Sequence, residues 1–186
     1  MKKETAFILG AMEDGSLSSR PKIGDFTIEI EQKNKEWILN LAKYFKISFG
    51  VKSKISERKK KNVFRLRIYS KDVFQQLQKL RKLLPKITRE RKEIQRYFLR
   101  GVFDAEGSVD KNKYRITLSN KNEKLLKICR KLLKNMRIEI GKTWRYKWGV
   151  KVLPILGKEK LKTFKKEIGF SHPDKKLKLV RLLMSS

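Results

Sequence analysis

The sequence predicts an α+β protein built as two pseudo-symmetric halves, each running helix–strand–strand–helix–strand–strand–helix around an antiparallel sheet. Three observations predict it. The stretch FTIEIEQKNKEWILNLAKYF (26–45) resembles YRITLSNKNEKLLKICRKLL (114–133). In both, strict apolar–polar alternation gives way, across a polar (Q/N)-K-N turn, to the spacing of an amphipathic helix. Finally, a short apolar segment ending in acid-Gly-Ser stands before each copy: FILGAMEDGSL (7–17) and FLRGVFDAEGSV (98–109).

The elements follow in order. The apolar segments are expected helices. Residues 51–70 read as a strand, a basic turn and a strand, and 138–153 read the same way. Helical spacing returns over 71–84 and 158–170. Near LLPKITRER (83–91), Pro85 stops one helix and Thr88 is a candidate cap for the next. The halves are therefore placed at 1–87 and 88–186. His172, in SHPDKK, stands at an expected helix start before Pro173.

The chain has 186 residues, with 49 Lys+Arg against 19 Asp+Glu, a formal net charge of +30. Such a charge repels itself and needs a polyanionic partner, and nucleic acid fits best because each neutralised phosphate releases counterions. An anionic membrane surface fits less well, since no long apolar segment or signal-peptide pattern is present. Surplus lysine from a thermophile usually comes with matching glutamate, which is missing here. Cys129 is the only cysteine, so no internal disulfide forms and a reducing, cytoplasmic setting is expected. It lies in an apolar stripe and is expected in the core.

Strand alternation separates two sheet faces. Phe64, Leu66 and Ile68 point one way, and Arg65, Arg67 and Tyr69 the other; Arg115, Thr117 and Ser119 share a face. Lys52 with Lys54, and Lys142 with Trp144, extend the pattern. A twisted ribbon with a basic and hydroxyl face suits the major groove. Glu29 and Glu31 interrupt it, either as acceptors from cytosine or as solvated or internally paired acids.

Gly101 and Ala105, four apart, make a bare helical stripe, as do Ala6 and Gly10. Helices crossing on these stripes would bring Asp14 and Glu106 together at the pseudo-twofold axis. Two adjacent carboxylates do not both stay ionised without a cation; a hard divalent ion, most simply Mg²⁺, meets that need.

These residues carry a resemblance. The sequence resembles the LAGLIDADG homing endonucleases of the monomeric, two-motif archaeal intron or intein type. LRGVFDAEG (99–107) aligns over all nine positions of the motif, and IGFSHPDKKLKL (168–179) is similar to the end of the family's domain. The resemblance implies saddle-shaped DNA-binding sheets and Mg²⁺-dependent (or Mn²⁺-dependent) cutting of both strands of double-stranded DNA. It implies Asp14 and Glu106 as metal-binding acids. It points to Gln32, Lys33, Asn120 and Lys121 as organisers of the attacking water, with Lys111 a further candidate. The alternative for these positions is a polar strand-to-helix turn in which Asn34 or Asn120 simply caps the helix. Relatives of this fold also act on intron RNA, so an RNA maturase and a cleavage-deficient DNA-binding protein remain as other functions.

One departure stands out. Gly10 precedes Gly15 by five positions, whereas Gly101 precedes Gly107 by six. Either the first helix end tightens, or Glu13 shares the role, or this half is catalytically weaker. Histidine-metal nucleases are excluded, since His172 is the only histidine, and phosphate-cradling glycine loops and nucleophile elbows are absent.

Overall fold

The computed structural model of the protein describes residues 1–110, 112–146 and 148–184. Two helices form its axis. α1 (Lys3–Ala11) is buried from Thr5 to Ala11, and α4 (Lys92–Glu106) is buried at Phe98, Leu99 and from Gly101 to Asp104. The bare stripes make their close approach possible. A Cβ on Gly10 would lie 2.3 Å from the Phe98 carbonyl oxygen and 2.6 Å from the Val102 nitrogen. A Cβ on Gly101 would lie 2.2 Å from the Phe7 carbonyl oxygen and 2.9 Å from the Ala11 nitrogen. Each glycine thus touches the other helix at the same relative positions, so Gly10 and Gly101 are equivalent across a pseudo-twofold axis.

Each half adds a four-stranded antiparallel sheet. The first contains β1 (Gly15–Arg20), β2 (Asp25–Gln32), β3 (Lys54–Arg58) and β4 (Val63–Tyr69), in the order β1-β2-β4-β3. The second contains β5 (Gly107–Val109), β6 (Arg115–Asn120), β7 (Trp144–Arg145) and β8 (Lys151–Leu156), in the matching order β5-β6-β8-β7. One sheet face is covered by helices: α2 (Lys35–Phe49) and α3 (Lys71–Lys82) in the first half, α5 (Glu123–Asn135) and α6 (Lys158–Glu167) in the second. Ile28, Ile30, Leu66 and Ile68, and likewise Ile116, Leu118, Leu153 and Ile155, fill the core beneath. Cys129 is buried there, as expected, and its thiol is pushed far up by desolvation. A last helix, α7 (Pro173–Met184), has no partner in the first half and begins at Pro173, where the missing N–H leaves no helical bond unmade.

Local chemistry sets the boundaries. In both halves the third residue of the (Q/N)-K-N turn caps the helix: Asn34 accepts from Trp37 N at 3.0 Å, and Asn122 from Leu125 N at 3.2 Å. Asn120 is therefore not the cap; its side-chain Oδ1 accepts from Asn122 N at 2.7 Å. Nor does Thr88 cap α4. Its hydroxyl donates to the Pro85 carbonyl, within a 3-10 turn that carries Leu84–Arg89, and α4 starts after Arg91 without a side-chain cap.

The expected strand from 138 shrinks to the two residues of β7. The Pro154 carbonyl accepts from Gly141 N at 2.8 Å, but the proline nitrogen has no hydrogen to return the bond, so the ladder fails there. Lys142 accordingly lies in irregular backbone beside β7, as Lys52 lies just before β3.

His172 is buried against Trp37, with ring centroids 6.2 Å apart. Burial first, and then the Lys175 charge, hold its imidazole down at about 4. Between the unfolded value of about 6.5 and this folded value the unfolded chain binds the extra proton, so stability falls as the pH drops through that window. Over the whole window the loss attributable to His172 is about 3 kcal/mol. His172→Phe is expected to remove that part of the acid limb in denaturant titrations run from pH 7 to 4; parallel curves for variant and parent would refute it.

Candidate metal and nucleic-acid site

The acids at the ends of α1 and α4 come within electrostatic reach of one another where the two helices end. α4 runs as α-helix to Glu106, whereas α1 stops at Ala11 and Met12–Asp14 form a 3-10 turn. Three 3-10 residues rise about 6 Å, as much as four α-helical residues at about 1.5 Å each. The tightened end therefore restores the rise of the missing residue and leaves a rotational deficit of about 40° instead of about 100°.

Glu106 is half-buried, and its carboxyl is pushed up to about 7, first by desolvation and then by the neighbouring charges of Asp14 and Glu13. Asp14 is exposed, yet partial desolvation also raises it, opposed by Lys175. Glu13 is raised by desolvation, opposed by Arg81. Three acids are thus destabilised as anions in one place, and the Lys175 and Arg81 charges offset only part of that cost. Among the described residues, no three His, Cys, Asp or Glu side chains converge into a closed metal cage.

The residues expected from the turns are at this junction. Gln32 donates from Nε2 to Asp14 Oδ2 at 3.2 Å, and its side-chain Oε1 accepts from Lys33 N. On the other side, Asn120 and Lys121 line an open cleft of 490 Å³ together with Glu106, Glu13 and Ser119. Lys111 lies outside the described residues.

Three residues have parts that sequence reasoning did not assign. Asp104 is fully buried, accepts from Trp37 Nε1 at 3.1 Å and from Ser171 N, and is raised to about 6 chiefly by desolvation. It ties α4 to the first half's α2 and to the start of α7. Glu13, three residues past its packing glycine as Asp104 is past Gly101, is the matching position in the first half. Lys175 donates to the carbonyls of Phe103, Asp104 and Ala105, closing the C-terminus of α4. It lies about seventy residues away in sequence, and only the fold brings it there. Arg81 does the same for the first half, donating to the Met12 carbonyl at 2.6 Å.

Comparison with known proteins agrees with this architecture. A family model described as LAGLIDADG-like domain matches residues 2–80 and again 93–169. The chain belongs to the LAGLIDADG family. A solved structure of the homing endonuclease I-DmoI in complex with DNA and Ca superposes with a TM-score of 0.74 at 26% identity, covering 96% of this chain and 97% of that one. Mesophilic variants of I-DmoI superpose with a TM-score of 0.71 at 27% identity, over 89% and 95%. An uncharacterised Methanocaldococcus jannaschii protein, MJ0398, is 28% identical over 98% of this chain and 72% of its own length.

In this LAGLIDADG protein the two outer sheet faces differ. Register places Glu31 opposite Arg65, and Glu29 opposite Arg67. Glu31 accepts from Arg58 Nη1 and Arg65 Nε, each at 2.7 Å, and Glu29 accepts from Arg67 Nε. The acids that interrupt the basic pattern are therefore internal partners. Each takes an Nε and leaves the terminal nitrogens of Arg65 and Arg67 uncommitted to it. Lys54 lies opposite Arg67 on the same face. In the second sheet β6 supplies Arg115, paired with Asp110, and Thr117, but β8 places Val152 and Pro154 opposite Ser119 and Thr117. Trp144, opposite Val152, completes a less basic face than alternation in β6 alone suggested.

Proposed function

We propose that this chain is a site-specific, divalent-metal-dependent endonuclease that cuts both strands of a long, pseudo-palindromic duplex DNA, acting as a monomer because one chain carries both half-sites. The observation that carries this reading is the meeting of Asp14 and Glu106 at the pseudo-twofold axis, with Gln32 and Lys33 on one side and Asn120 and Lys121 on the other. The similarity to I-DmoI, whose solved structures include complexes with DNA and Mn or Ca, supports it.

The acids fit a hard ion. Mg²⁺ is commonly held by one or two carboxylates, with water and substrate phosphate completing the shell, and an open pair of carboxylates suits that arrangement. Asp14 and Glu106 would hold Mg²⁺ or Mn²⁺, which when bound polarises the phosphodiester and acidifies water. The side-chain amides of Gln32 and Asn120 orient the attacking water. The ammonium groups of Lys33 and Lys121 balance the charge that develops on phosphate. Arg65, Arg67, Arg115 and Thr117 face the major groove, and Lys52, Lys54, Lys142 and Trp144 flank it.

The test is a time course on supercoiled plasmid carrying the intron-free or intein-free junction of the host gene, with and without Mg²⁺. Because the 3-10 turn matches the rise but not the rotation of the two acids, both strands are cut at unequal rates and nicked circle accumulates before linear product. Conversion straight to linear DNA would reject the asymmetry, and no cutting in any divalent ion would reject the endonuclease.

Base reading is tested separately. Arg65→Ala is expected to lower discrimination at one base pair by about 1–3 kcal/mol, as for loss of a bidentate contact to guanine. Measured on a set of single-base target variants, uniform weakening would place Arg65 on phosphate instead.

A further inference from the structure

The pseudo-symmetry supplies an internal control, since any feature that serves a two-fold target should recur in both halves. α2 and α5 occupy matching places beneath the sheets. α5 buries Leu125, Leu126, Cys129, Leu132 and Leu133 toward its sheet, so its other side faces away from the proposed duplex. That side and the turn after it expose Lys124, Lys127, Arg130, Lys131, Lys134 and Arg137. The only acid in the helix, Glu123, is engaged by Lys151 at 2.7 Å and Arg145 at 3.1 Å. Like charges three and four residues apart destabilise the helix that bears them. The outer side of α2 is mixed instead: Lys35, Glu36, Leu39, Lys43, Lys46 and Ile47 are exposed there.

A second asymmetry adjoins the first. Through those Glu123 contacts the base of the β7–β8 hairpin rests on the start of α5, and a cleft of 370 Å³ lined by Lys127, Arg130, Trp144 and Arg145 joins them. Beyond it, Tyr146 and Trp148 project, and Trp148 is 83% exposed. The matching turn in the first half carries Lys59, Lys60, Lys61 and Asn62, with no aromatic residue.

A duplex presents phosphates but hides the faces of its bases, whereas an unpaired strand offers both, and aromatic side chains beside a cationic track are what such a strand stacks on. We propose that the outer side of α5, with Tyr146 and Trp148 beyond it, forms a second nucleic-acid surface, specific for single strands and distinct from the outer faces of the two sheets. It does not depend on whether the sheets cut DNA.

The test uses the full chain in EDTA, with fluorescein-labelled oligouridylate and oligothymidylate as probes and unlabelled duplex DNA as competitor. The strand is expected to stay bound when duplex saturates the sheets. Trp148→Ala weakens strand binding about fivefold or more, the loss expected for one stacked base. Replacing Lys127, Lys131 and Lys134 together by Gln lowers the log–log salt slope for the strand by about 2. Neither variant changes duplex affinity, and the two probes distinguish RNA from DNA as the source of the strand. Displacement of the strand by duplex, or equal weakening of both ligands in either variant, overturns the proposal.

Discussion

Glu106→Gln is expected to lower DNA cleavage by more than about 100-fold, beyond what loss of an outer-shell partner of a metal ligand causes, while DNA affinity stays the same or rises slightly. Glutamine keeps the shape but supplies a neutral oxygen, a poor ligand for a hard divalent ion. It also removes one of the charges that oppose one another at the junction, where Asp14 and Glu13 already push the Glu106 carboxyl upward. Loss of a negative group near phosphate explains the small gain in affinity. Cleavage assays and filter binding on the same preparation separate the two effects. A variant that binds and cuts like the parent would remove Glu106 from the proposed metal site. Circular dichroism of the same sample checks folding, and because the carboxyl is already raised, neutralising it should leave the melting curve intact or shift it upward.

Gly101→Ala is expected to destabilise the fold by about 3 kcal/mol or more, at the upper end of the effects of overpacking. The added methyl would sit 2.2 Å from the Phe7 carbonyl oxygen and 2.9 Å from the Ala11 nitrogen, both backbone atoms of the facing helix. Backbone atoms in a buried helix cannot turn aside as a flexible side chain can, so the two axes must separate and the junction of the acids opens. Gly10→Ala meets the same obstacle at 2.3 Å from the Phe98 carbonyl oxygen, so the two variants should behave alike. By contrast Gly24→Ala, in an exposed turn with nothing near the added methyl, pays only for its left-handed backbone. Urea denaturation of the three variants tests the ranking; equal stability of Gly101→Ala and the parent would refute the crossing on these glycines.

Much of this molecule was legible in the chain. The repeat, the alternation in 64–68 and 115–119, the glycine stripes and the acids before Gly15 and Gly107 are local patterns, and local patterns survive in sequence because backbone periodicity dictates which residues share a face. They determined the two-sheet fold, the axis helices and the pairing of Asp14 with Glu106. Other features depend on groups distant in sequence. Lys175 reaches α4 across about seventy residues, and Asp104 finds Trp37 across a similar distance. No period or spacing encodes such meetings. The charge of the outer faces was likewise decided by partners: Glu29 and Glu31 became acceptors for Arg65 and Arg67 through strand register, and Pro154 cut β7 short by withholding one hydrogen bond. The tightened end of α1 shows the division most directly. The sequence by itself determined that a residue was missing before Gly15. Only the packing of Gly10 on α4, which pins one end of that turn, decided that 3-10 winding would restore the lost rise.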